Sequence, residues 1–255
     1  MKSLDFMIIG AQKAGTTALS SFLAQHPNIC MAKGKEVHLF DAPNYRSGTA
    51  IEEINRIYAP HFDATPTNLW GEATPLYLYW TEIIPELYRY NPKLKLIILL
   101  RDPVERAISH FEMERARGNE HSPLWQALLL EQRRLRRSSG REEWSSRRLH
   151  SYLDRGKYVR QIEAVRHYFP DDQLLVIENS ELSDHHSTVL RSVFEFLGVA
   201  AEYDIQPRRV FKGNYFPKKS WLSRFLGLYF YRYNLQLKSI LEEMGIKRGW
   251  PWLSS

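Results

Sequence analysis

The sequence predicts an open α/β fold: a single parallel sheet flanked by helices, with a phosphate-type loop at the carboxyl end of its first strand. Three observations predict it. Phe6-Met7-Ile8-Ile9 is a short apolar run that passes straight into Gly10-Ala11-Gln12-Lys13-Ala14-Gly15-Thr16-Thr17. Leu96-Ile97-Ile98-Leu99-Leu100 is a second such run and passes into Arg101-Asp102-Pro103. Helical stretches fill the chain between runs of this kind. Short apolar runs ended by Gly or Pro read as strands buried on both faces, and such sheets hold ligands beyond the carboxyl ends of their strands. Both polar turns therefore face one crevice.

The elements follow in order. The first strand covers Asp5 to Ile9, and a helix runs from Thr16 to Gln25 until His26-Pro27-Asn28 stops it. A short strand or turn at Ile29 to Met31 leads to the segment around Glu36. A helix is expected over Ala50 to Tyr58, a strand over Asn68 to Glu72, and a helix over Tyr79 to Tyr90 ahead of Asn91-Pro92. After the strand ending at Arg101, Pro103 fits the first turn of a helix that carries Arg106 and Ser109. Leu124 to Arg137 and Ser151 to Tyr168 read as helices, and Leu174 to Glu178 as a strand. Thr188 to Leu197 is a helix stopped by Gly198, and Ser220 to Met244 is helical and rich in Leu, Tyr and Phe. Those aromatics suit a core or a docking surface.

Two glycines let the first polar turn bend around an anion, and the amides of the following helix point at it. Lys13, Thr16 and Thr17 add charge and hydroxyl donors. A nucleoside-triphosphate loop places lysine directly after the second glycine, whereas that position here is Thr16 and the lysine lies inside the turn. At the second turn, Arg101 and Ser109 are spaced to reach one phosphate across the first two turns of the helix.

The two segments together resemble the PAPS-dependent sulfotransferases, PAPS being 3′-phosphoadenosine 5′-phosphosulfate. The resemblance implies that Lys13, Ala14, Gly15, Thr16 and Thr17 hold the 5′-phosphosulfate, that Arg101 and Ser109 hold the 3′-phosphate, and that PAP is the product. Lys35-Glu36-Val37-His38-Leu39-Phe40-Asp41 is similar to a stretch of the glycosaminoglycan sulfotransferases in which the glutamate is the catalytic base. Gly71-Glu72-Ala73-Thr74-Pro75-Leu76-Tyr77 resembles their Glu-Lys-Thr-Pro strand, with Ala73 in place of a lysine that touches the acceptor sugar and the sulfonate. Gly156 to Gln161, followed by His167-Tyr168-Phe169-Pro170, resembles their helix before a late strand. Phe211-Lys212-Gly213-Asn214-Tyr215 resembles the loop that closes over the nucleotide, which implies cofactor contacts from Lys212, Gly213 and Tyr215.

The expected activity is transfer of a sulfuryl group from PAPS to a hydroxyl, or an amine, of a carbohydrate or small-molecule acceptor by in-line displacement, with no metal required. Charge spreads over equatorial oxygens in such a transfer, so positioning and electrostatics carry most of the catalysis. Lys13 is the natural partner of the bridging oxygen that becomes negative. Glu36 is the leading candidate for the base and His38 the second, because a neutral imidazole suits proton transfer near pH 7. Glu72 is placed to orient Lys13 or the acceptor, and Asp41 to hydrogen-bond His38 or the acceptor. Two other readings stand beside this one. A P-loop kinase or nucleotide hydrolase would need a lysine at position 16 and an aspartate for Mg²⁺, and Asp102 is better placed to pair with Arg101. A noncatalytic PAP- or polyanion-binding protein would need no base.

Composition fits one enzyme domain. A chain of 255 residues, 44% hydrophobic, can bury one large core. A single domain over residues 1–255 is expected, with 131–150 as a candidate mobile insertion and 220–246 as a C-terminal helical segment. The net charge of +6 suits an anionic donor. Arg133, Arg134, Arg136, Arg137, Arg141, Arg147 and Arg148 form a dense run, read either as a solvated helix plus loop or as a patch for a polyanionic acceptor or anionic membrane. No nucleic-acid recognition signature accompanies it. Cys30 is the sole cysteine, which excludes an internal disulfide and suits a reducing compartment. No signal-peptide pattern and no membrane-length apolar stretch is present, so a soluble cytoplasmic protein is expected.

Overall fold

The computed structural model describes residues 2–34, 36–63, 69–138, 140–201, 205, 221–247 and 249–253. The chain divides into two compact units, Met1–Arg101 with Ala164–Phe211, and Asp102–Glu163 with Lys212–Ser255.

Among the described residues of the first unit, parallel strands β1 (Phe6–Gly10), β2 (Ile29–Met31), β3 (Leu69–Ala73), β4 (Lys95–Leu100) and β5 (Leu174–Glu178) form one sheet in the order β2-β3-β1-β4-β5. Phe6 to Ile9 and Leu96 to Leu100 are fully buried, as the unbroken apolar runs require. After β1 the chain moves outward to β2, returns through β3, and then crosses to β4 on the other side of β1. The strand order thus reverses at β1, and the carboxyl end of β1 is the place where such sheets bind ligands. Helices α1 (Thr16–Leu23), α2 (Ile51–Tyr58), α3 (Ile84–Tyr90), α8 (Asn179–Asp184) and α9 (His186–Leu197) belong to the same unit. Gly198, at φ 81°, ends α9 in the left-handed conformation its sequence position predicts.

The second unit is helical. It contains α4 (Pro103–Ala116), α5 (Leu124–Arg137), α6 (Ser146–Leu149), the start of α7 (Tyr158–Arg166) and α10 (Trp221–Glu243). Asp102, expected beside Arg101, caps α4: its carboxylate accepts from the amides of Val104 at 2.8 Å and Glu105 at 3.3 Å. Ala107, Ile108 and Phe111 of α4 pack with Leu124, Ala127 and Leu128 of α5, with Tyr152, and with Leu226 of α10.

Two helices differ from the sequence reading in their bounds. The helix expected from Ser151 to Tyr168 is interrupted, with a 3-10 turn at Asp154–Gly156 before α7. There the Arg155 side chain folds back onto the carbonyls of Arg147 (3.0 Å) and Arg148 (2.7 Å). A Cβ at Gly156 would also meet the Phe230 ring. The helix expected from Tyr79 begins as a 3-10 turn at Thr81–Ile83, and α3 starts beside Pro85, which fits only a first helical turn. The segment set apart at 131–150 carries the end of α5 and all of α6. Its Glu131 is fully buried and accepts the amides of Leu153 and Asp154, both at 2.7 Å.

β3 tolerates its neighbour because residue 71 has no side chain: a Cβ there would run into the Phe6 ring of β1. We expect Gly71→Ala to lower unfolding stability by about 1–3 kcal/mol through overpacking, read by chemical denaturation.

Candidate active site

Two loops of the first unit carry the candidate residues. The loop after β1 continues the sheet for one residue, the Ala11 amide donating to the Leu99 carbonyl at 2.6 Å. It then turns back sharply. Lys13 takes φ 72° and Gly15 φ 93°, and α1 begins at Thr16. Two side chains fix the loop from outside: Arg101 Nη1 donates to the Lys13 carbonyl at 3.3 Å, and Asn179 Nδ2 to the Ala14 carbonyl at 3.0 Å. Gly15 is required twice over, since a Cβ would lie 2.6 Å from Asn179 Nδ2 and the residue would be left-handed. No side chain caps α1, and its first turn holds no acidic residue. Its N-terminal amides and partial positive charge face the loop. Ala14 and Thr16 are buried, while Lys13 and Thr17 are half-buried.

The second loop follows β2. Glu36 has φ 66° and His38 φ 55°, so the stretch is not the extended segment that would align alternate side chains. The two side chains meet through this turn, with His38 Nε2 3.2 Å from Glu36 Oε2. On its other edge, His38 Nδ1 lies 2.9 and 3.0 Å from the two oxygens of Asp41, which has no solvent exposure. Burial opposes charge on the imidazole, but the hydrogen bonds and negative charges of Asp41 and Glu36 prevail, and His38 is pushed up to about 9. At neutral pH both ring nitrogens therefore carry protons and donate to carboxylates. In this state His38 bridges the two carboxylates as a cation.

Beneath this pair lies a buried layer. Thr74 Oγ1 accepts the His38 amide at 3.4 Å and donates to Glu72 Oε1, and Tyr58 donates to Glu72 Oε2 at 2.9 Å. Glu72 is wholly enclosed. Burial pushes its carboxyl up to about 7, against the downward pull of the Thr74 and Tyr58 hydrogen bonds. The Tyr77 hydroxyl oxygen accepts the Phe40 amide N–H at 3.3 Å.

Among the described residues, the non-glycine residues with left-handed φ are Lys13, Glu36 and His38. Each such residue costs about 1–3 kcal/mol, and persists where its surroundings over-determine it. These are the three residues that the sequence singles out for catalysis.

Ser109 lies half-buried on α4 in the second unit. Lys212, Gly213 and Tyr215 lie outside the described residues. Asp41 and Glu72, expected as substrate contacts, are enclosed, with His38 and Thr74 standing on them. Sequence reasoning passed over Asn179, Thr74 and Tyr58. Asn179 had a signal, since it follows β5 at the carboxyl edge of the sheet. Tyr58 had none, being brought to Glu72 only by packing of α2.

The chain matches a family model described as the sulfotransferase domain over residues 3–223. It is 28% identical over 269 residues to bifunctional heparan sulfate N-deacetylase/N-sulfotransferase 3 of Mus musculus, covering 94% of this chain and 30% of that protein. It is 31% identical over 199 residues to heparan sulfate glucosamine 3-O-sulfotransferase 3B1 of Mus musculus, covering 76% of this chain and 45% of that one. The chain thus spans less than half the length of these relatives. A sulfotransferase structure from Alicyclobacillus acidocaldarius superposes with a TM-score of 0.79 at 26% identity, covering 95% of this chain and 97% of that one. Mouse sulfotransferase SULT7A1, solved in complex with PAP, shares the fold at a TM-score of 0.52 and 18% identity, covering 78% of this chain and 60% of that one.

The enclosed Glu72 has a pH signature. Its folded-state value of about 7 lies above its ordinary 4.5, so the fold favours the protonated form. Its contribution to stability is complete below pH 4.5 and is lost as pH rises through 7. Denaturant midpoints measured across that window should fall for the natural chain and fall less steeply for Glu72→Gln, which has a similar shape and does not ionise.

Proposed function

The chain belongs to the sulfotransferase domain family, and we propose that it transfers a sulfuryl group from PAPS to a hydroxyl of a carbohydrate acceptor, with Glu36 as the general base. The observation that carries this reading is the geometry around Glu36: a carboxylate held in a left-handed turn by a cationic His38 that a buried Asp41 keeps protonated.

The loop after β1 fits the donor. It offers a helix N-terminus with no side-chain cap, a lysine inside the turn, and a left-handed Gly15 that lets the backbone bend. Lys13, Ala14, Gly15, Thr16 and Thr17 would hold the 5′-phosphosulfate, Arg101 and Ser109 the 3′-phosphate, and Lys212, Gly213 and Tyr215 would close over the nucleotide. PAPS supplies the activated sulfuryl group. Glu36 takes the proton of the acceptor hydroxyl as its oxygen bonds to sulfur. Lys13 stabilises the bridging oxygen, which leaves with the electron pair of the broken S–O bond, so PAP departs with the added negative charge. His38 keeps Glu36 aimed and neutralises its charge before the proton arrives, and Asp41, Thr74 and Glu72 position His38.

Acceptors of the heparan sulfate type are suggested by the relatives, but Ala73 stands where the resembling glycosaminoglycan enzymes carry a lysine on the acceptor. We assign this chain a carbohydrate with fewer sulfates or carboxylates near the reacting hydroxyl. Among the described residues no helix is long and apolar enough to cross a membrane. The lone Cys30 favours a reducing, cytoplasmic setting.

Calorimetric titration with PAP in the absence of metal should give micromolar binding, weakened by about tenfold or more in Arg101→Ala, since charge-assisted contacts of this kind contribute about 1.5–3 kcal/mol. Lack of PAP binding, or ATP binding that needs Mg²⁺, would contradict the proposal. In single-turnover transfer from PAPS, Glu36→Gln should retain PAP binding and lose about 10²- to 10⁴-fold in rate.

A further inference from the structure

Helix α10 is amphipathic in an unusual sense: apolar residues line the face it turns to its own core and also the face it turns away. Leu226, Phe230, Leu237 and Leu241 are buried. On the opposite side, Trp221, Phe225, Leu228 and Leu235 recur at helical spacing and are 73%, 61%, 77% and 42% exposed. Single exposed apolar residues are ordinary, but a run of large ones along a single helical stripe marks a surface that meets something.

Charge identifies what it meets. Arg224 and Arg232 are exposed beside the stripe, and Arg232 is steered by a 2.8 Å hydrogen bond to the Tyr233 hydroxyl, its guanidinium 4.8 Å from that ring. From Trp221 to Leu241 the sequence contains no Asp or Glu, while Arg224, Arg232 and Lys238 are basic. A second copy of the chain is a poor occupant, because a two-fold contact sets the same patch against itself and would oppose positive charge with positive charge. An anionic bilayer answers both features. Trp, Phe and Leu enter the boundary between headgroups and acyl chains, tyrosine rings sit at headgroup level, and Arg and Lys meet lipid phosphates.

We propose that the outward face of α10, centred on Trp221, Phe225 and Leu228, is a peripheral docking surface for an anionic lipid bilayer. The helix lies in the interface without spanning it, in keeping with its failure to reach the apolar length of a membrane crossing. Docking would hold the enzyme where acceptors displayed on lipids are found, and it stands independently of which acceptor is used.

The test is flotation of the full chain with vesicles of phosphatidylcholine containing about 30% phosphatidylglycerol at about 0.1 M salt, beside vesicles of phosphatidylcholine alone. The natural chain should float with the anionic vesicles and not with the neutral ones. Binding should fall about fivefold for each charge removed in Arg224→Gln and Arg232→Gln, and should weaken as salt rises. The combined variant Trp221→Ser, Phe225→Ser, Leu228→Ser should lose binding by about tenfold or more, with a thermal transition like that of the natural chain because the three side chains are exposed. Equal flotation with both vesicle types, or no flotation of the natural chain, overturns the proposal whatever the variants do. So does a natural chain that is dimeric by light scattering, becomes monomeric in the combined variant and ignores vesicles, which would assign the face to a second copy.

Discussion

The candidate site depends on one imidazole ring. His38 stands between two carboxylates, Glu36 at 3.2 Å on one edge and the enclosed Asp41 at 2.9 Å on the other, and each contact favours its charged form. Without that charge, the half-buried Glu36 would lose the cation at 3.2 Å and the enclosed Asp41 the one at 2.9 Å. Breaking such a pair by removing one partner is costly because the other is left buried and uncompensated. The clamp also explains why Glu36 and His38 tolerate left-handed backbones: hydrogen bonds on both ring nitrogens and on the His38 amide hold the turn closed.

That arrangement stands on the sheet. Glu72 and Thr74 lie at the carboxyl end of β3, next to β1, whose own end supplies the Lys13 loop. Parallel pairing sets the two strand ends side by side, so the base loop and the anion loop inherit their proximity from β1 and β3. The fixed elements are apolar and rigid, with Phe6 to Ile9 fully buried, while the residues assigned to chemistry sit on the turns that leave them. Strain at Lys13, Glu36 and His38 is therefore borne by turns that leave a buried framework.

The sequence carried the framework well because its signals are local. Apolar runs ended by Gly or Arg-Asp-Pro marked β1 and β4, and Gly198 marked the end of α9 to the residue. Lys13, Glu36, His38 and Asp41 were legible as residue types at telling spacings. Their mutual geometry was not: an extended stretch would bring Glu36 and His38 to one face by period, whereas the fold does it through two left-handed residues. Long-range partners were also out of reach. Tyr58 meets Glu72 from α2, Asn179 meets Ala14 across most of the chain, and Arg155 breaks an expected helix by turning back on Arg147 and Arg148. Each is a tertiary contact that overrides or supplements a local preference. Residue types alone likewise leave Glu36 and His38 as rival bases, and give no sign of the two-sided contact of the ring.

The lipid-facing stripe of α10 and the Glu36 clamp belong to different units and draw on different physics, apolar exposure in one and buried charge in the other. The clamp is the central claim. Its most direct measurement is a ¹H–¹⁵N NMR titration of the imidazoles, assigned by His38→Gln, in the natural chain and in Asp41→Asn. The account predicts that His38 keeps both ring protons through neutral pH and titrates near 9, and that Asp41→Asn moves it back toward its ordinary 6.5. A His38 that titrates near 6.5 in the natural chain, or that is indifferent to Asp41→Asn, would contradict it and return His38 to contention as the base.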